Sequence, residues 1–148
     1  MEYLIREFRD EDLDKLVRLC AEHAAYEGHD YNPAGKDRLL KEALLRDKPW
    51  LHCWVVTVNE EVVGYTTFTF DFSTWDCNFF LHMDCLYLEE PFRGFGIGRE
   101  IVRRLLNVAR EQNCINIQWQ TPSTNKSAIE FYSRLGAQMK TKQRFTIV

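Results

Sequence analysis

Apolar and polar positions change period several times along the 148 residues, and each change marks an element. Tyr3 to Phe8 alternates, with Leu4 and Ile5 between polar neighbours, which predicts a first strand. Asp10 then fits a helix N-cap with Glu11 and Asp12 in the first turn. Leu13, Leu16, Val17, Cys20 and Ala24 keep the three-to-four spacing of a buried helical face that ends near Glu27-Gly28. Tyr26 to Pro33 mixes aromatic, acidic and turn-forming residues and reads as a loop. A second helix over Lys36 to Arg46 stops at Lys48-Pro49. From Leu51 the period falls to two: His52, Trp54, Val56 and Val58 face one way, and Asn59-Glu60 turns the chain into a second run, Val62 to Asp71. A further strand from Phe79 to Leu88 follows Ser73 to Asn78. After a glycine-rich turn, Ile97, Ile101, Val102, Leu105, Leu106 and Ala109 form a helical stripe reaching about Glu111. Ile115 to Gln120 alternates again, and Thr121 to Thr124 breaks the alternation. Ser123 or Thr124 can cap a helix containing Ala128, Ile129, Phe131, Tyr132 and Leu135, which Gly136 stops, and Gln143 to Val148 predicts a closing strand. The sum is one α+β domain over residues 1–148 with a mixed sheet, unbroken by linker or repeat.

The stretch Leu86 to Gly98, strand then glycine turn then helix, carries the first chemical signal. Gly94, Gly96 and Gly98 at alternate positions let the backbone turn tightly and expose successive N–H groups at a helix start, where unpaired donors and the macrodipole favour an anion. With the charge of Arg93 the pattern describes a phosphate cradle. Arg99-Glu100 stands where a P-loop needs Lys-Ser/Thr, and the glycine spacing differs from the dinucleotide fingerprint.

Composition narrows the class. Hydrophobic residues at 45% and charged ones at 28% describe an ordinary folded chain, and a net charge of −3 argues against a general nucleic-acid binder and suits a cationic partner. No apolar run approaches the roughly 20 residues that span a bilayer, so no membrane partner is expected. Five cysteines without framework spacing point to reduced thiols and a cytoplasmic location. Cys20 with His23, and Cys77 with His82 and Cys85, lack paired zinc-site spacing, so no metal is expected.

Taken together, Arg93-Gly94-Phe95-Gly96-Ile97-Gly98 after a strand and, some thirty residues on, Asn125-Lys126-Ser127-Ala128-Ile129-Glu130-Phe131-Tyr132 before Leu135-Gly136-Ala137 resemble the GCN5-related N-acetyltransferase (GNAT) superfamily. Within it, Arg-Gly-Phe-Gly-Ile-Gly and the Tyr26-Glu27 pair are most similar to the diamine (spermidine/spermine) N-acetyltransferase branch. That branch often has Trp-Asn where Thr124-Asn125 stands and Glu where Asp84 stands, departures that bear on the acceptor.

The resemblance implies a mostly antiparallel mixed sheet with helices on both faces, and an acetyl-CoA-dependent transfer to a primary amine of a small, cationic acceptor by direct attack in a ternary complex. It implies pyrophosphate on the backbone of Gly94, Phe95, Gly96, Ile97, Gly98 and Arg99, with Arg93 beside it. The pantetheine arm would lie along Leu86, Tyr87 and Leu88, in a splay between the fourth and fifth strands. Asn125 and Ser127 would touch the far side of the cofactor, and Lys126 or Arg99 the ribose phosphate. Tyr132 is the expected proton donor to the leaving thiolate, and a backbone N–H near Leu86 the oxyanion donor. A homodimer is expected, with Trp75, Phe79 and Phe80 as interface candidates. An amine of pKa about 10.4 is uncharged in only about one molecule in 2,500 at pH 7, so a carboxylate relay would help deprotonate it. Asp84 is the expected base, through water, with Glu27 as the alternative. Asp84 falls in the even register of Leu86 and Leu88, which places all three on one face unless a bulge intervenes. Tyr26, Glu27 and Asp84 are the acceptor-side residues, within an acidic set that also holds Asp30, Asp71 and Asp76. His29, His52 and His82 are the candidate proton carriers. The alternatives are acetylation of a protein lysine or N-terminal amine, and a non-catalytic acyl-CoA-binding module.

Overall fold

Strands follow one another across a single sheet in chain order in the computed structural model, which describes residues 1–148. β1 (Leu4–Glu7), β2 (His52–Val58), β3 (Glu61–Ser73) and β4 (Asn78–Leu88) pair antiparallel, and β5 (Ile117–Gln118) adds parallel to β4. A parallel step needs a crossover, and α3 (Ile97–Glu111) provides it. α1 (Leu13–Tyr26) and α2 (Lys36–Leu44) join β1 to β2, and α4 (Lys126–Arg134) follows β5. The β2–β3 turn falls at Asn59-Glu60, both left-handed at φ 50° and 67°, the mirror-image turn that matches strand twist.

The two faces of the sheet carry separate cores. Ile97, Ile101, Leu105 and Ala109 of α3 pack on Ile5, Val56, Val63, Phe68, Leu81 and Met83. Leu16 and Leu19 of α1 and Leu44 of α2 pack on Cys53, Val55, Val62 and Tyr65. Alternation along each strand sorts residues to opposite faces, so a hydrophobic stripe on each helix finds a hydrophobic half of the same sheet. Helices therefore lie on both faces, as expected. α1 is locked to β1 by Asp12, 4% exposed, which accepts from both Arg6 guanidinium nitrogens at 2.7 and 2.9 Å and from Arg9 N–H at 2.8 Å. Burial alone would raise this carboxyl, but those bonds outweigh it and hold it below the usual carboxylate value.

One register shift decides the geometry of the site. Thr67 pairs with Cys85 and Phe68 with Met83, so Asp84 has no partner on β3 and forms a β-bulge. Before the bulge, Leu81 and Met83 face α3; after it, Leu86 and Leu88 take that face, and Cys85 and Tyr87 turn to the α1 side. Asp84 goes with the α1 side, where its oxygens lie 3.7 Å from His82 Nε2 and accept from Cys85 Sγ at 3.8 Å. The shared face expected for Asp84, Leu86 and Leu88 is thus corrected: the extra residue puts Asp84 opposite the two leucines.

Several boundaries also differ. A 3₁₀ turn over Asp10–Asp12 precedes α1, and Asp12 rather than Asp10 anchors the entry. α2 ends at Leu44, two residues short of Arg46. Asn125, not Ser123 or Thr124, caps α4, accepting from Ala128 N–H at 3.2 Å. β5 keeps two residues of the expected six. The closing strand over residues 143–148 does not form: the stretch pairs with no strand of its own chain, leaving Phe145 90% and Ile147 98% exposed.

Candidate active site

Between β4 and α3 the chain passes a 3₁₀ turn, Glu90–Phe92, and then Gly94 and Gly96, both left-handed at φ +85° and +82°. These angles suit glycine, and they aim the following amides forward. Arg93 N–H donates to Glu90 O at 3.1 Å and Glu100 N–H to Gly96 O at 3.1 Å; none of the six backbone N–H groups between them, residues 94–99, donates within the chain. Six free donors at the start of a fifteen-residue helix make an anion cradle. Gly98 serves another purpose. A Cβ there would lie 2.9 Å from Phe131 Cζ, so its missing side chain lets α4 close onto α3.

Next to the cradle, β4 has an open edge. Only Leu81 and His82 pair with β5, through Ile117 and Gln118, so Met83 and Cys85 to Leu88 keep their β3 partners while the β5-side edge from Met83 onward goes unpaired. Such an edge offers a row of N–H and C=O groups to an extended chain. The splay expected between the fourth and fifth strands is therefore present. Together the six donors and this edge fit a ligand with an extended amide arm and a diphosphate.

A cleft of about 260 Å³ opens where the end of α1 meets the start of α4, lined by Tyr26, Glu27, Pro122, Thr124, Asn125, Lys126 and Ser127. Acceptor-side and cofactor-side expectations thus meet in one place. Tyr26 Oη lies 3.2 Å from Ser127 Oγ, which donates to Asn125 Oδ1 at 3.3 Å. Lys126 and Arg99 are exposed and make no ion pair. The charge of Arg93 is engaged elsewhere than at the cradle: its guanidinium stands 4.8 Å from the Tyr26 ring and 5.5 Å from the Tyr87 ring, and its Nε donates to Leu88 O at 2.8 Å.

Tyr132 packs beside Trp119 and Phe131, with ring centroids 5.1 and 5.2 Å away. Burial first, and then the negative charge of Glu27, push its phenol up to about 12, so it carries its proton at neutral pH. Asp84 is 59% exposed on the α1 face. Asp71 and Asp76 lie apart from it: Asp71 pairs opposite Phe80, four positions along β4 and roughly 13 Å away, and Asp76 bonds Ser73 in the hairpin connection. The expected acidic set is therefore divided: Glu27 lines the cleft, and Asp84 lies on the same α1 face near enough to His23 for its charge to be felt there. Of the expected proton carriers, His52 stacks on Phe68 at 5.2 Å and His82 lies beside Asp84.

His23, which is not among the proton carriers read from the sequence, is largely enclosed in the structure. Its Nδ1 lies 2.8 Å from Tyr65 Oη and its Nε2 3.4 Å from Glu27 Oε1, and its ring stacks on Tyr87 at 5.1 Å and 23°. The i, i+4 spacing to Glu27 was the available signal; Tyr65, 42 positions away, was not readable.

The sequence model of the Acetyltransferase (GNAT) family matches residues 11–137. A thialysine N-epsilon-acetyltransferase of Bos taurus is 30% identical over 151 residues, covering 94% of this chain and 86% of that protein. A spermidine/spermine N(1)-acetyltransferase-like protein 1 of Homo sapiens is 28% identical over 93% of this chain and 21% of its own length. Among solved structures, an aminoglycoside N-acetyltransferase in complex with CoA superposes with a TM-score of 0.82 at 13% identity, covering 99% of this chain and 95% of that one. That likeness is one of fold.

Proposed function

Because this chain belongs to the acetyltransferase (GNAT) family and is an N-acetyltransferase, we propose that it carries an acetyl group from acetyl-CoA to the primary amine of a small cationic acceptor, by direct attack in a ternary complex within a single domain over residues 1–148. The observation that carries this reading is the run of six unpaired N–H groups, residues 94–99, set beside the open edge of β4. The cradle takes the diphosphate, the backbone of Leu86, Tyr87 and Leu88 takes the amide arm, and Asn125 and Ser127 hold the far side. Lys126 or Arg99 meets the ribose phosphate. When bound, acetyl-CoA supplies an activated thioester carbonyl and a thiolate leaving group.

The chain's own groups then handle two protons and one developing charge. Asp84 draws the amine's proton away through water, with Glu27 as the second candidate, and both stand on the α1 face. Tyr26 and Glu27 receive the cationic acceptor, by ring face and by charge. A backbone N–H near Leu86 stabilises the carbonyl oxygen as it gains charge. Tyr132, held protonated by burial, donates to the departing sulfur. A small basic acceptor is supported by the name of the bovine relative and by the Glu27 carboxylate that lines the cleft.

The proposal extends to a cytoplasmic homodimer. Five free cysteines suit a reducing compartment, and the unpaired strand-like residues 143–148 suit pairing with a second copy. No helix is long and apolar enough to cross a membrane.

The test is CoA-thiol release across thialysine and lysine, polyamines, aminoglycosides and lysine peptides. Release with small amines is expected. Release with peptides alone would assign protein acetylation, and none at all despite calorimetric CoA binding would make the protein a silent binder.

A further inference from the structure

His23 is bonded or packed on three sides, and that arrangement has no role in the reaction described above. The ring is 12% exposed. Tyr65, 1% exposed, meets Nδ1 from β3; Glu27 meets Nε2 from one turn down α1; Tyr87 of β4 covers the ring face. Tyr65 is a donor here, because burial first and neighbouring thiols second drive its phenol far above the ordinary value. The Glu27 carboxylate only accepts, so the one proton of the neutral imidazole sits on Nε2 facing it, and Nδ1 is left to accept from the Tyr65 O–H. The Cys85 thiol, pushed up to about 12 by burial, stays uncharged beside this pair. Burial lowers His23 below its ordinary pKa, and the Glu27 charge opposes that only in part.

We propose that His23 is a positioning residue for the acceptor: an imidazole wedged between Tyr65 and Glu27 that fixes the Glu27 carboxylate at the cleft, one oxygen toward Nε2 and the other free for the incoming ammonium. This rests on the reading of Glu27 as an acceptor-side residue. Glu27 both lines the cleft and bears on Tyr132, so a carboxylate free to rotate would lose the acceptor's placement relative to the proton donor. Protonation of His23 would convert the contact into a full ion pair and draw Glu27 away from the acceptor, weakening amine binding in acid. The other charges acting on His23 are Asp84 of β4, which favours the protonated ring as Glu27 does, and Arg93 beyond β4, which favours the neutral ring.

The test combines kinetics on the amine that the panel identifies with NMR of the free enzyme. His23→Leu should raise KM for the amine about five- to tenfold, with a smaller change in kcat and an unchanged KM for acetyl-CoA, and His23→Gln, which keeps an acceptor and a donor, should recover most of the loss. Nitrogen-15 spectra should show His23 as the Nε2–H tautomer, and Tyr65→Phe, which removes the donor to Nδ1, should raise its titration midpoint. If Glu27→Gln raises the amine KM while His23→Leu does not, the positioning role is overturned. An amine KM indifferent to Glu27→Gln would overturn the acceptor-side reading itself. An Nδ1–H tautomer would overturn the bonding scheme even if a variant failed to fold.

Discussion

Adding one methyl group at Gly98 tests whether the glycine turn serves the site by conformation or by closeness. A Cβ there meets Phe131 Cζ at 2.9 Å and Cε2 and Cε1 at 3.5 and 3.6 Å, where carbon atoms ordinarily rest about 3.5–4.0 Å apart. The ring, which also packs at 5.2 Å from the Tyr132 ring, must retreat by more than half an ångström. Overpacking of this kind costs about 1–3 kcal/mol, while alanine in a helix recovers about 1 kcal/mol over glycine. The net for Gly98→Ala is a loss of about 0–2 kcal/mol, or up to about 6 °C in Tm for a chain of this length. Because Phe131 belongs to α4, whose first turn carries Asn125 and Ser127, CoA affinity should fall about three- to tenfold in the same variant. Gly96→Ala is the contrast: nothing lies within 4 Å of its Cβ, but φ of +82° imposes about 1–2 kcal/mol of strain, which Gly96→Asn should largely relieve. Thermal melts and calorimetry with CoA read both effects. A Gly98→Ala protein that melts about 3 °C higher than the parent, with CoA affinity unchanged, would refute the close-approach argument.

Tyr132→Phe should lower kcat about 10²-fold or more in the CoA-release assay; since the phenol is pushed up to about 12, the parent enzyme should show no basic limb from this group between pH 7 and 10. Asp12→Asn leaves Arg6 with an unmatched, largely buried charge and should cost about 3 kcal/mol in urea unfolding. The same carboxyl is held below its unfolded value, so its contribution is complete above about pH 5 and is lost progressively as pH falls from there through its lower folded-state pKa, a decline that melts from pH 6 to pH 3 would show. Deleting residues 143–148 should convert a dimer to a monomer in analytical ultracentrifugation; an unchanged mass would remove the tail from the interface.

Most elements were legible because their signals are local. Alternation in β2 and β3, the helical stripe of α3 and the glycine run each lie within a dozen residues, and backbone preference plus one-sided burial suffices to set them. The cradle was readable for that reason, as was the meeting of strand end with helix start. The length of β5 was not, since Ile115 to Gln120 alternates throughout while only the two residues opposite Leu81 and His82 find a partner. The tail shows the same limit: Gln143 to Val148 has a strand's pattern, but a strand exists only when something pairs with it.

The amino-acid order by itself therefore determined the elements and the glycine turn with its unpaired amides, because each depends on neighbours along the chain. Tertiary structure alone decided which way Asp84 faces. Its side was set by how β3 and β4 come into register, a two-strand property in which Thr67 meets Cys85, Phe68 meets Met83 and one residue is left over. It alone also joined His23 to Tyr65, since a hydrogen bond between residues 42 positions apart forms only when a helix is laid on a particular face of the sheet.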